Sequence, residues 1–163
     1  ACSDGGCGGG RRVAVITSTS GFTGSLRAYG GNTSQNNSGY VGAAGTVFVQ
    51  APGALGTLIV DNNSQTSGKR TILAAGNYTF DAAYVSRQGF LQIGAAATLT
   101  TATFNTALAG DSSGHIAMYG NLNLAPTFAL AAADLTVYSG SLVGVSDLTL
   151  SSGAVVTLSS APA

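Results

Sequence analysis

Charged side chains are scarce in this chain of 163 residues. Only 7% of the residues are charged, against roughly a quarter in an average domain. There is no Glu, no Trp and a single Lys, Lys69. Because helices usually carry Glu, Lys and Gln on their solvent-exposed faces, this composition argues against a helical protein. The formal net charge is zero, so electrostatics gives no reason to expect nucleic acid or an acidic membrane as a partner.

Long apolar runs are absent too. No stretch of about 18 apolar residues occurs, so the sequence predicts no transmembrane helix. No basic start followed by an apolar stretch opens the sequence, and we expect any secretion signal to have been removed or never included. The length fits one domain. We divide the chain into a Gly-rich leader with both cysteines at 1–10, a single domain at 11–160 and a tail at 161–163.

The only two cysteines, Cys2 and Cys7, both lie in the leader, ACSDGGCGGG. A disulfide between them is the first interpretation, and it would indicate an oxidising compartment. The alternatives are two free thiols or a lipidated Cys2. A metal site is disfavoured because the single histidine, His115, lies far along the chain. The sequence therefore predicts neither a metal nor another cofactor.

Short apolar segments separated by small-residue turns fill the first half of the chain. Residues 11–17 and 22–29 read as strands, and the segments 46–49 and 57–60 follow on either side of a Pro-Gly turn. The stretch 42–63 at first suggests a hairpin. Because later strands recur every six to eight residues, we interpret it instead as consecutive sides of one coil, with Pro52-Gly53 at a corner.

The last third carries the clearest periodicity. Apolar residues recur in pairs two positions apart, which places both side chains of a pair on one face of a short strand. The pairs are Leu122/Leu124, Phe128/Leu130, Leu135/Val137, Leu148/Leu150 and Val156/Leu158, with Leu142 filling the gap between the third and fourth. Three steps make about 20–21 residues, so Leu122 should stack on Leu142, Phe128 on Leu148 and Leu135 on Val156.

This period predicts an all-β fold, a right-handed parallel β-helix with three sides and about 20–21 residues per coil. No segment has the periodicity of a helix, which disfavours alternating strands and helices. The alternative is a β-sandwich, which also needs many strands. A sandwich expects strands of about 5–6 residues and hairpin turns, and the short steps of this chain fit it less well.

The N-terminal part of the chain also resembles a known group. The segments GGCGGGRRVAVI, FTGSLRAYGG, GAAGTVFVQAPG and GTLIVDNN look like the Gly-rich repeats of large secreted bacterial parallel β-helix proteins. There, a poly-Gly run precedes R-(I/V)-A-(I/V), then F-x-G-x-(I/L)-x-A-x-G-G and G-(A/S)-G-T-(V/I)-(Y/F)-(V/L). The resemblance covers residues 5–63 and implies an extracellular or cell-surface stalk, adhesin-like or fibre-forming protein. This chain is much shorter than those relatives.

Few residues suggest catalysis. Polysaccharide lyases and hydrolases that share this fold class need clustered carboxylates. The spacing of Asp61 and Asp81 is close to one full period, so they would stack on adjacent coils, with Arg87 close by. The favoured alternative is that each carboxylate caps a turn. His115 reads as an ordinary strand side chain, and no hydrolase or metalloprotease motif occurs. We therefore predict that the chain is not an enzyme.

A glycan-binding surface is the second functional hypothesis. The spacing of Tyr119 and Tyr138 is also close to one period, so they would stack as a ladder that Tyr78 and Tyr84 extend. The alternative is that these tyrosines simply pack with their hydroxyls at the surface. The polar loop at 30–39 is another candidate for this role.

Four sequons would matter only if the source glycosylates them. Their asparagines are Asn32, Asn36, Asn62 and Asn77.

The ends of the predicted solenoid suggest self-assembly. End coils expose backbone and apolar surface, and neither end of this chain reads as a capping helix. The predicted contact edges are Arg12, Val13, Val15 and Ile16 in the first strand, and Val155, Val156 and Leu158 in the last. A head-to-tail contact that does not close would produce a filament. The predicted partner is therefore another copy of the chain, outside the cell or on its surface; a longer parent solenoid is the alternative.

Overall fold

The computed structural model describes residues 7–18, 25–32, 41–105, 113–131 and 133–159. These residues form strands and no helix, and they wind as a β-solenoid of about four turns. The predicted all-β parallel β-helix is thereby confirmed over the β-sandwich. The strands are β1 (Arg12–Ile16), β2 (Thr46–Gln50), β3 (Thr57–Asp61), β4 (Thr71–Leu73), β5 (Gly76–Ser86), β6 (Phe90–Ile93), β7 (Ala97–Asn105), β8 (His115–Met118), β9 (Asn121–Asn123), β10 (Thr127–Ala131), β11 (Asp134–Val137), β12 (Leu142–Val143), β13 (Asp147–Ser151) and β14 (Val155–Leu158).

The strands form three faces. Face 1 holds β9, β12 and the first halves of β5 and β7. Face 2 holds β1, β2 and β3 together with the second halves of β5 and β7, and β10 and β13 continue it. Face 3 is the five-stranded sheet of β4, β6, β8, β11 and β14. β5 and β7 are the longest strands because each contributes to two faces.

The register confirms the stacking predicted for the last turns. Leu122 pairs with Leu142, Phe128 with Leu148, and Leu135 with Val156. Earlier turns are less regular. For example, more residues separate Phe90 from its partner His115 than separate His115 from its partner Asp134. The predicted period therefore holds where the corners are short, and it lengthens where residues are inserted between β7 and β8.

The core consists of side chains that alternate inward along each strand. On face 3, Leu91 stacks on Ile116, which stacks on Leu135, and each is almost fully buried. The other large apolar side chains that are almost fully buried are Ile93, Leu99, Met118, Leu122, Leu130, Val60 and Val85. Each turn thus covers the apolar side chains of the turn before it, and the last described turn has no such cover among the described residues.

The stretch 42–63 is a hairpin, so its interpretation as two sides of a coil is wrong. β2 and β3 are antiparallel, with Phe48 opposite Leu58. Pro52 fixes its own φ, and Gly53 adopts a φ of +74°, which together reverse the chain. β1 pairs parallel to β2. Both strands therefore run opposite to the strands of the coils.

Three glycine-rich segments, 8–10, 28–31 and 42–45, hydrogen-bond to one another, and we call them the glycine braid. The Gly10 amide donates to the Ala43 carbonyl at 2.8 Å, and the Gly42 amide donates to the Gly31 carbonyl at 3.0 Å. A Cβ placed on Gly42 would lie only 2.2 Å from the Gly8 carbonyl oxygen, so glycine is required by space. The strand predicted at 22–29 is wrong for its described part, 25–29, because this backbone joins the braid.

Asn62 fastens the braid to the first turn. Its side chain is fully buried. Its amide oxygen accepts from the Gly30 amide at 3.0 Å, and its amide nitrogen donates to the carbonyls of Gly42 at 3.4 Å and Gln65 at 2.7 Å. Nearby, the Ser67 hydroxyl donates to a carbonyl next to the braid. The Asn62 sequon is therefore inaccessible in the folded chain, whereas Asn77 is exposed.

Candidate functional site

The first predicted contact edge is the outermost strand of face 2. β1 ends the seven-stranded sheet, and its other edge has no partner strand among the described residues. Val13 and Val15 are half-buried, whereas Arg12 and Ile16 are exposed, Ile16 to 73%. Ala14 is also exposed, although it pairs with Phe48 in the column that points into the core. This edge thus offers free backbone groups and a small apolar side chain at its centre.

The opposite end exposes a larger apolar surface. Leu148 and Leu150 continue the columns of the buried residues Phe128 and Leu130, yet they are 42% and 47% exposed. Val143, Val155 and Leu158 are exposed as well, and Val156 is half-buried. Within the part of the chain that is described, β12, β13 and β14 are edge strands. The last turn therefore presents core side chains and unpaired backbone on all three faces.

The predicted tyrosine stack is confirmed. The rings of Tyr119 and Tyr138 lie 4.6 Å apart at 10° to each other, at the end of β8 and β11 on face 3. Nη1 of Arg70 donates to the Tyr119 hydroxyl at 3.3 Å. Tyr78 and Tyr84 lie on β5, on faces 1 and 2, so the predicted extension of the ladder is wrong. The two rings face each other. A glycan-binding role for the stack stays a prediction.

A histidine–carboxylate pair lies on the same face at the opposite end of β8 and β11. Nδ1 of His115 is 3.1 Å from Oδ2 of Asp134, and its Nε2 is 3.3 Å from Oε1 of Gln88. His115 is a strand side chain, as predicted, but its acidic neighbour was missed because it lies one turn away. The pair is partly exposed. The described residues contain no cluster of three His, Cys, Asp or Glu side chains that would hold a metal.

The predicted acid pair does not form. Asp61 pairs in register with Ser86, at the end of β3. Asp81 lies beyond the start of β3, where its Oδ2 accepts from the Gly56 amide at 2.9 Å. The turn-capping alternative is confirmed for Asp61, whose Oδ1 accepts from the Asn63 amide at 2.7 Å. The two carboxylates are at opposite ends of one strand and cannot act on one substrate bond.

Asp61 instead pairs with Arg87. Nε of Arg87 donates to both carboxylate oxygens, at 3.1 and 2.9 Å, and its Nη2 also contacts Oδ2. This bond raises the pKa of Arg87 above its ordinary value, against a smaller lowering by burial. Nη2 further donates to the Tyr29 hydroxyl at 3.4 Å. Sequence reasoning missed Tyr29 because it lies far from Arg87 in the chain and no periodicity relates the two.

This ion pair lines a cavity of about 260 Å³. The cavity lies between segment 25–29 and the outer side of β2 and β3. Val47 and Ile59 form its apolar wall, and Arg27 lines it from segment 25–29. Arg87 adopts a φ of +45°, a left-handed conformation that is uncommon for a residue other than glycine.

Several predictions fall partly outside the described residues. Cys7 is buried, but Cys2 lies outside them, and the disulfide stays a prediction. Asn36 and most of the polar loop at 30–39 lie outside them too. The described residues include no helix long and apolar enough to cross a membrane.

No family model, no curated protein and no solved structure matches this chain. The solenoid of about four turns is shown by the structure itself. The resemblance of residues 5–63 to Gly-rich adhesin-like proteins stays a hypothesis.

Proposed function

We propose that this chain is a non-enzymatic structural module, located outside the cell or on its surface, whose solenoids join end to end. The observation that carries the proposal is the last described turn, where Leu148 and Leu150 continue the buried columns of the core without being covered. A further β-strand placed along β13 would bury both side chains and satisfy the free edge of β13. We assign that strand to a second copy of the chain.

The energy of this contact is moderate. Fully burying a large apolar side chain contributes about 1.5–3 kcal/mol, so each half-exposed residue of the last turn would contribute about 1 kcal/mol. Leu148 and Leu150 on β13 face the proposed partner strand, and together they would contribute about 2 kcal/mol, which is below the lower end of the cost of association, about 4–15 kcal/mol. Strand-to-strand hydrogen bonds must supply the rest. We therefore expect assembly that depends strongly on concentration.

The partner surface for this end is the edge of β1. The side of this strand that points toward the core has the small Ala14 at its centre, which leaves room for a leucine of β13. Because β1 runs opposite to the strands of the coils, it would pair antiparallel with β13. The contact joins two different surfaces, so it propagates as a filament when the rotation between copies does not close a ring. The low charge of the chain offers little electrostatic repulsion against such an approach.

The location outside the cell is proposed from the resemblance of residues 5–63 to secreted Gly-rich β-helix proteins. The motifs that resemble secreted Gly-rich β-helix proteins, GGG, AYGG and GAAG, contribute most of the braid. Their low complexity therefore reflects a packing requirement of the first turn.

Sedimentation velocity and electron microscopy test the proposal. We expect the wild-type chain to associate as its concentration rises and to form filaments. Leu150→Lys should weaken association, because it places a charge in the contact. Thr149→Lys, on the same strand with its side chain on the opposite side, serves as the matched control. A wild-type chain that stays monomeric at about 1 mM would rule out assembly.

A glycan-binding adhesin is the second candidate. The observation that favours it is the stack of Tyr119 and Tyr138 with Arg70 beside it on face 3. A glycan array should then show binding that Tyr138→Ala abolishes and Tyr84→Ala, on face 2, leaves intact. Absence of binding by the wild-type chain would exclude this role.

A further inference from the structure

The cavity beside Asp61 has a positive lining. Arg27 and Arg87 contribute two guanidinium groups, and Asp61 contributes the single carboxylate. Asp61 engages Nε and Nη2 of Arg87, and Nε of Arg27 donates to the Ser25 hydroxyl at 2.8 Å. Nη1 of Arg87 and both terminal nitrogens of Arg27 have no acceptor among the described residues. One anionic group would satisfy these donors and balance the excess charge.

Both guanidinium groups lie near the ring of Tyr29. The central carbons of Arg27 and Arg87 lie 6.0 and 5.8 Å from the centre of the Tyr29 ring. The Tyr29 hydroxyl also accepts from Arg87. Arg87 (φ +45°) and Gln88 (φ +63°) are the central residues of the tight turn between β5 and β6, which the Gly89 amide closes by donating to the Ser86 carbonyl at 2.8 Å. This turn fixes the backbone from which the Arg87 side chain reaches Asp61.

The size and the walls of the cavity narrow the class of ligand. A volume of about 260 Å³ is slightly below the usual range for drug-sized ligands, roughly 300–1,000 Å³, and suits a single sugar ring. Val47 and Ile59 offer an apolar wall, against which the C–H face of a sugar can lie. Asp61 and Ser25 also line the cavity, and their oxygens have the capacity to accept hydrogen bonds from hydroxyl groups. A doubly charged phosphate would exceed the net charge of the lining and be repelled by Asp61.

We propose that this cavity binds one acidic sugar residue, a hexuronate, with its carboxylate between Arg27 and Arg87. The site lies on the outer side of β2 and β3, away from the strand edges of the last turn. The lining of the cavity includes no residue of β1 or β13, the two strands of the proposed end-to-end contact, so either function can fail without the other.

Amide NMR of the full chain, titrated with glucuronate, glucose, acetate and inorganic phosphate, tests the site. Glucuronate should shift amides at 27–29 and 59–61 with a Kd of about 1 mM. Glucose and acetate should each bind at least about tenfold more weakly, because glucose lacks the carboxylate and acetate lacks the sugar ring. Equal binding of glucose, tighter binding of phosphate, or no shift with glucuronate would each overturn the proposal.

Two matched variants localise the effect. Arg27→Gln should weaken glucuronate binding about tenfold, since it removes one exposed guanidinium without touching the core. Arg11→Gln removes an exposed arginine that does not line the cavity, and it should bind like the wild-type chain. A loss of the same size in both variants would mean that binding reflects general positive charge, and the cavity would be excluded as the site.

Discussion

Replacing Asn62 by Ala should release the glycine braid from the first turn. The side chain is fully buried and makes three hydrogen bonds, two of which reach the braid at Gly30 and Gly42. Alanine removes all three and leaves the Gly30 amide buried without an acceptor. Because the remaining turns bury their own core, we expect the braid to open locally while the solenoid stays folded.

The magnitude follows from the unsatisfied groups. A buried donor or acceptor left without a partner costs about 1–3 kcal/mol. The bond from Asn62 to Gly42 is long, at 3.4 Å, so the Gly30 amide should dominate the loss. We expect the free energy of opening to fall by about 2–3 kcal/mol. This corresponds to hydrogen exchange that is about 30- to 150-fold faster at the amides of Gly10 and Gly45.

Native-state hydrogen exchange measured by NMR checks this prediction. Asn77→Ala is the control, because Asn77 is exposed on β5, and its exchange rates should match the wild type. Asn62→Asp keeps an acceptor for Gly30, but it turns a carboxylate oxygen toward the carbonyls of Gly42 and Gln65 and buries a charge, so it should accelerate exchange at neutral pH at least as much as Asn62→Ala. If Asn62→Ala exchanges at the same rate as Asn77→Ala, Asn62 does not fasten the braid, and the reasoning is refuted.

Three further substitutions test the braid, the core and the ion pair. Gly42→Ala should lower the melting temperature because its Cβ would meet the Gly8 backbone at 2.2 Å, whereas Gly8→Ala, with open space around it, should not. Leu99→Ala should cost about 2–5 kcal/mol in urea unfolding, and Thr98→Ala on the other side of β7 should cost less than about 1 kcal/mol. Asp61→Asn should cost about 1 kcal/mol, since both partners are partly exposed. The pKa of Arg87 is raised by this pair. The pair therefore contributes its full share to the free energy of unfolding until the pH rises above the ordinary pKa of arginine. The cost of Asp61→Asn should consequently be equal at neutral and at mildly alkaline pH.

The regular turns were predictable because their corners are short. Between β9 and β14 few residues separate one strand from the next, so the spacing of Leu122, Phe128 and Leu135 in the sequence directly gives their partners one turn later. The stacking of Tyr119 on Tyr138 follows from the same spacing. Alternation of apolar residues thus fixes both the face and the register when nothing is inserted.

The first half was less predictable because the residues in contact there are not separated by one period of the solenoid. The chain reversal at Gly53 depends on a local backbone conformation. The prediction that Pro52-Gly53 forms a corner of a coil was wrong because it applied the period of the last turns to a segment that does not have it. Arg87 and Tyr29 meet from distant parts of the chain. The braid was missed because Gly10 and Gly42 carry no side chain whose alternation would reveal a partner.

The hairpin of β2 and β3 also has a consequence for the order of folding. Its innermost pair, Val49 and Thr57, closes only a short loop, whereas every turn of the solenoid must close a loop as long as a whole coil. Because loop-closure entropy grows as the logarithm of length, a loop about 2.5 times shorter forms at an advantage of about 0.8 kcal/mol. Local pairs of this kind form early. We therefore expect β3 to be in place first and to act as the template on which β5, and then each later turn, is laid down in sequence.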